Sequence, residues 1–151
     1  MVTLRTDTGW VPSPEDTPYL RLGEPKIRAL VEAFYDAMQA HEPELTRTHR
    51  LDEHGHIPRE FRDTFALFLI FWLGGPQGYL EARGHPRLRM RHARVPVDEA
   101  MRDAWVRSMQ RAMDATGIDG EVRGYLDARF ADVANFLRNV APPDSGAVKK
   151  G

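Results

Sequence analysis

The densest chemistry in the sequence lies between residues 83 and 94. The run Arg83-Gly84-His85-Pro86-Arg87-Leu88-Arg89-Met90-Arg91-His92-Ala93-Arg94 holds five arginines, two histidines and no acid. Guanidinium groups at this density suit an anion, because their planar fork meets carboxylate or phosphate with paired hydrogen bonds. Three occupants satisfy the run: a nucleic-acid backbone, a small anionic ligand, or water over a solvated charged face. The first fits worst. No aromatic residue interleaves the arginines, and the whole chain has 21 basic against 22 acidic residues for a net charge of −1. That balance disfavours general attraction to nucleic acid and to an anionic membrane. Only Lys26, Lys149 and Lys150 among the basic residues are lysine, which a genome-wide coding preference for arginine also explains.

Two further sets could carry chemistry. The six histidines are His41, His49, His54, His56, His85 and His92. His54-Gly55-His56 offers two imidazoles without the third ligand of a catalytic zinc site, and no HExxH is present. The aromatics Phe34, Tyr35, Phe61, Phe65, Phe68, Trp72 and Trp105 recur at helical spacing. A protein core explains them, and so does a flat apolar cofactor held between the same helices. The nucleotide and hydrolase signatures GxGxxG, GxxxxGK[ST] and GxSxG are missing. Cysteine is absent, which removes disulfides, thiolate metal sites and cysteine nucleophiles.

These residues need a scaffold, and 151 residues suit one domain. A chain of this size buries roughly 68–70% of the surface its unfolded form exposes. Residues 1–12 read as a flexible arm, 13–140 as the domain and 141–151 as a flexible tail. Ser13-Pro14-Glu15-Asp16 reads as the start of a short helix that Gly23 interrupts. Pro25 opens a second helix, in which Ile27, Leu30, Val31, Phe34 and Met38 form one stripe and Glu42-Pro43 the end. Residues 44–57 show no period and read as loop. A third helix begins at Pro58, with Phe61, Phe65, Phe68, Leu69 and Trp72 on one face and enough apolar residues elsewhere to predict burial on most sides. Gly74-Gly75-Pro76 stops it, and residues 77–83 allow a short helix. A fourth long helix follows Pro96 with Asp98 as cap, and a fifth opens at Asp119 or Gly120 with Val122, Leu126, Phe130, Val133, Leu137 and Val140 in register. No alternating strand pattern appears, so the fold class is all-α. The longest apolar run, Phe65 to Leu73, is too short to span a bilayer, and residues 1–10 lack the apolar core of a secretory signal. The expectation is a cytoplasmic protein with no nucleic-acid or membrane partner.

Several short motifs occur in order. They are Pro18-Tyr19, Gly23-Glu24, Ile27-Arg28-Ala29-Leu30-Val31-Glu32-Ala33-Phe34-Tyr35, Phe71-Trp72-Leu73-Gly74-Gly75-Pro76, Tyr79, Gly84-His85-Pro86-Arg87-Leu88-Arg89-Met90-Arg91-His92 and Arg102-Asp103-Ala104-Trp105. Together they resemble the second group of the truncated haemoglobins over residues 18–140. The resemblance implies a truncated globin-like two-over-two helical sandwich around haem b. It implies that His92 is the proximal ligand of the haem iron, and that Tyr79, Arg89 and Arg91 contact the cofactor near its propionates. Tyr35 and Trp105 then match the distal hydrogen-bond donors, in a pocket shared with Phe34, His49, Phe61, Phe65 and Phe68. Relatives often carry glutamine or another polar residue where this chain has Phe65, so this pocket is expected to be more apolar. The segment between His49 and the third helix is longer than usual, and Ala93-Arg94-Val95-Pro96 replaces a common Leu-Pro-Phe-Pro. His54 or His56, in that longer loop, becomes a candidate sixth ligand to iron.

The implied function is a haem protein binding oxygen, carbon monoxide and nitric oxide at a five-coordinate iron, for oxygen binding, transport or storage. A haem enzyme with nitric oxide dioxygenase or peroxidase-like turnover, served by an electron-donor reductase, is the alternative. A helical interaction module without haem is a third, which the presence of both His92 and the arginine run opposes. Either a monomer or a homodimer is compatible with the sequence.

Overall fold

The computed structural model describes residues 10–84 and 97–138. Seven helices run through them: α1 (Pro18–Leu22), α2 (Glu24–His41), α3 (Pro43–Thr46), α4 (Arg59–Trp72), α5 (Gly78–Arg83), α6 (Glu99–Ala115) and α7 (Gly120–Leu137). No strand occurs among the described residues. The helix α2 packs mainly on α6 and also on α4, while α6 carries α7 and α4 carries α5. Two helical pairs, α2/α4 and α6/α7, therefore make the two layers. No helix among the described residues is long and apolar enough to cross a membrane.

The sequence stripe of α2 becomes the centre of the core. Ile27, Leu30, Val31, Phe34, Tyr35 and Met38 are all buried, against Met109, Ala112 and Met113 of α6 and Leu126 and Phe130 of α7. Asp98 caps α6 as expected, its Oδ1 accepting from the Met101 amide at 2.9 Å.

Three local expectations differ from the structure. The first cap is Thr17, not Ser13: its Oγ1 accepts from the Leu20 amide at 3.0 Å, with Pro18 in the first turn. Residues 13–16 instead close a turn, because the Asp16 carboxylate is drawn to Trp10 Nε1 and to Arg21. Those two donors, Arg21 first, hold the Asp16 carboxyl down at about 2. Second, residues 43–46 form a helical turn inside the expected loop. Pro43 fits its first position, and Thr46 Oγ1 donates to the Met38 and Glu42 carbonyls, so α3 continues the end of α2. Third, α4 is fully buried only along Arg62, Ala66, Phe68, Leu69 and Ile70, whereas Phe61, Phe65, Phe71 and Trp72 stay half-buried.

The Gly-Gly-Pro stop has a packing reason beyond ending α4. The Tyr19 amide donates to the Leu73 carbonyl at 2.9 Å, which brings α1 down onto this corner. Gly74 has φ +103°, and a Cβ on Gly75 would lie 2.6 Å from Tyr19 Cδ1 and 2.8 Å from the Ile70 carbonyl. Gly75→Ala should therefore cost about 1–3 kcal/mol, as overpacking does. Denaturant unfolding measures it; an unchanged midpoint would show that Tyr19 swings aside freely.

Ion pairs tie the layers. Glu42, buried at the α2–α3 junction, receives Arg107 on both carboxylate oxygens at 2.9 Å and Arg111 at 3.0 Å. Arg107 first, and Arg111 with it, hold its carboxyl below the ordinary range. A depressed carboxyl adds stability above its unfolded pKa and loses it as pH falls through the folded value. The melting temperature should thus decline below about pH 4.5, the ordinary glutamate value. Glu42→Gln should melt lower at pH 7 and show a flatter acid limb. Parallel acid limbs in variant and parent would place the acid sensitivity elsewhere.

Candidate functional site

One cavity of about 430 Å³ opens between α2, α4, α6 and α7, with the turn after α3 at its edge. This volume is typical of a small-molecule or cofactor pocket. Its walls follow from the helix stripes already described. From α2 come Phe34, Tyr35 and Met38; from α4 Phe61, Phe65 and Phe68; from α6 Met101 and Trp105; from α7 Val133, Ala134 and Leu137. Tyr79 of α5 and His49, after α3, also line it.

The aromatic groups form a continuous packed set. Phe34 meets Tyr35, Phe65 and Trp105 with ring centroids 5.0, 5.4 and 5.3 Å away. Phe65 stacks on Phe68 at 6.2 Å and 12°. His49 stands edge-on to Tyr35 at 5.8 Å and to Phe61 at 5.5 Å, its Nδ1 lying 3.4 Å from Thr48 Oγ1. Such rings give an apolar lining with few polar groups.

Those few polar groups decide what the cavity accepts. Tyr35 is only 6% exposed and Tyr79 only 3%. Neither hydroxyl, nor the Trp105 indole N–H, has a hydrogen-bond partner among the described residues. Burial pushes the Tyr35 phenol well above its ordinary value, so it stays a neutral donor at physiological pH. A buried donor without a partner costs about 1–3 kcal/mol. Two such hydroxyls, with the half-buried Trp105 N–H beside them, suit a ligand that brings its own acceptors.

Tyr35, Trp105, Phe34, His49, Phe61, Phe65, Phe68 and Tyr79, named from sequence, all line this cavity. Arg89, Arg91 and His92 lie outside the described residues. His54 and His56 do not line it. Both are exposed, because Asp52 Oδ1 accepts the backbone N–H of each and folds that loop upon itself. The structure thus removes the motive for either as a sixth ligand. Sequence reasoning missed the rim groups Thr48, Glu60, Thr64 and Arg102. Thr64 lies one turn of helix from Phe61 and Phe68 and was recoverable from that spacing. Thr48 and Arg102 depend on the tertiary placement of the turn after α3 and of α6 against α7.

The family model for bacterial-like globins matches residues 19–139. The chain is 34% identical over 131 residues to the group 2 truncated haemoglobin YjbI of Bacillus subtilis (strain 168), covering 82% of this chain and 89% of that protein. The chain belongs to the group II truncated haemoglobins. Solved structures agree in fold. The truncated oxygen-avid haemoglobin from Bacillus subtilis superposes with a TM-score of 0.74 at 36% identity, over 82% of this chain and 99% of that one. The group II truncated haemoglobin from Bacillus anthracis gives 0.74 at 33%, over 82% and 97%. The cold-adapted truncated haemoglobin of Pseudoalteromonas haloplanktis gives 0.75 at 33%, over 83% and 99%. A truncated haemoglobin is a haem-based ligand binder, and the residues present fit that group. The cavity is lined mainly by apolar and aromatic side chains, and its buried tyrosine hydroxyls lack acceptors among the described residues. In this truncated haemoglobin the α4 residues Phe61 and Phe65 contribute no donor to the cavity, which leaves hydrogen bonding there to the tyrosines, Trp105 and the rim.

Proposed function

We propose that the chain holds haem b in the α2/α4/α6/α7 cavity and binds diatomic gases there, oxygen above all. The observation that carries this is the buried Tyr35 hydroxyl, which lines the cavity and has no partner among the described residues. Haem, when bound, supplies an iron with an open position for a diatomic ligand.

Each protein group has a task toward that ligand. Tyr35 Oη donates a hydrogen bond to a gas that gains negative charge on binding, and the Trp105 indole N–H donates beside it. Each such bond contributes about 1.5–3 kcal/mol, as bonds to charged acceptors do. Phe34, Phe61 and Phe65 exclude water, which strengthens both hydrogen bonds by lowering the local dielectric. His92, the match to the proximal histidine, would supply a neutral imidazole nitrogen to the iron. Arg89 and Arg91 would offset the charge of the cofactor's carboxylates, and the Tyr79 hydroxyl would donate a hydrogen bond to one of them. The relative from Bacillus subtilis is an oxygen-avid haemoglobin, which supports oxygen as the favoured gas. With no donor on Phe61 or Phe65, Tyr35 and Trp105 carry that preference together.

The test is oxygen and carbon monoxide release from the haem-loaded chain, measured by rapid mixing. Slow oxygen release that accelerates when the Tyr35 hydroxyl is removed supports the proposal. Release that is fast and indifferent to that hydroxyl refutes oxygen holding as the task of this cavity.

A further inference from the structure

Over the Tyr35 ring lies a buried cation. The Arg62 side chain is 9% exposed, and its Cζ sits 5.6 Å from the Tyr35 ring centroid. Its fork is fully engaged. Nη1 donates to Glu32 Oε1 at 2.8 Å and to Asp36 Oδ1 at 3.1 Å, and Nη2 reaches Gln39 Oε1 at 3.4 Å. Glu32, Asp36 and Gln39 flank Tyr35 on α2, so α2 itself fixes the guanidinium beside the phenol. Gln39 Oε1 also accepts from the Ile57 amide, which anchors the start of α4 to the same cluster.

A residue that only fills space here would be apolar, since burying an ion pair rarely gains stability over packed hydrocarbon. A cation beside a phenol does something hydrocarbon does not: it favours the charge-separated form of the O–H bond and makes the hydroxyl a stronger donor. We propose that Arg62 is a positioning residue for the gas site, fixing the Tyr35 ring and strengthening its hydroxyl as a hydrogen-bond donor to ligands in the cavity. This rests on the proposed function above. The charged or titratable groups around Tyr35 are Glu32 and Asp36 on α2, Arg59 and Arg62 on α4, and His49 after α3. Arg59 is spent on Glu32 and Asp63, which leaves Arg62 as the cation in contact with the ring. Partial neutralisation by Glu32 and Asp36 limits its effect to about one pKa unit, a tenfold change in acidity.

The experiment places 3-fluorotyrosine at position 35 of the full chain and follows its 19F resonance against pH. Arg62→Met should raise the titration midpoint by about one unit, and Arg62→Lys, which keeps the charge, should recover most of the shift. In the haem-loaded chain, Arg62→Met should release oxygen about 3- to 10-fold faster with carbon monoxide release unchanged, and Arg62→Lys should again recover it. Midpoints equal in parent, methionine and lysine variants would overturn the proposal and leave Arg62 a purely structural residue. Should Arg62→Met fail to fold, Asp36→Asn keeps Arg62 and removes an exposed counter-charge. The midpoint should then fall and oxygen release slow, and an unchanged midpoint overturns the proposal equally. A chain that takes no haem would remove the gas measurements while the 19F titration still decides the role of Arg62.

Discussion

Tyr35→Phe should release oxygen about 10- to 150-fold faster than the parent, the kinetic equivalent of losing a hydrogen bond of about 1.5–3 kcal/mol. The substitution keeps the ring among Phe34, Phe65 and His49 and removes one hydroxyl. Carbon monoxide gains less charge on binding, so its release should change far less. Stability should move the other way. The hydroxyl is buried with no partner among the described residues, so its removal should stabilise the haem-free chain by about 1 kcal/mol. A gain in melting temperature together with a loss in oxygen retention separates a functional hydroxyl from a structural one. Trp105→Phe should also quicken oxygen release, and the double variant should be non-additive if both donors serve one ligand. Equal acceleration of oxygen and carbon monoxide would assign the hydroxyl a steric effect and pass the polar role to another cavity group.

Why the sequence revealed so much of this cavity is itself physical. Phe34 and Tyr35 follow from the period of α2, and Phe61, Phe65 and Phe68 from that of α4. A helix that must bury one face leaves its stripe legible. Asp98 was legible for the same local reason, since a cap depends on residues within one turn. The missed features are those that local rules do not govern. Thr17 outcompetes Ser13 as cap because Asp16 is claimed by Trp10 and Arg21, two partners set by tertiary packing. The turn Pro43–Thr46 is held by Thr46 reaching back to α2, and its four residues are too short to show a period. The half-burial of Phe61 and Phe65 has another origin. A helix facing a cofactor slot and a helix facing protein carry the same apolar residues, so composition predicts burial where the structure has a cavity. Arg62 shows the converse, a charge inside an apolar pattern whose partners on α2 only the fold brings together.

His92→Ala should abolish normal haem ligation. The chain has no cysteine to substitute. Among the described residues the histidine lining the cavity is His49, beside Tyr35 on the gas side. The cavity-lining residues Tyr79 and Val97 bracket position 92 in the sequence. Loss of the ligand should leave weakly held haem, and added imidazole should restore much of the lost ligation by taking the vacated place.

The most direct measurement is the absorption spectrum of the purified ferrous chain under carbon monoxide, recorded beside its His92→Ala counterpart. The expected result is a histidine-ligated carbon monoxide spectrum in the parent, its loss in the variant, and its return with imidazole. A parent that carries no haem, or a variant whose spectrum equals the parent's without imidazole, would contradict it.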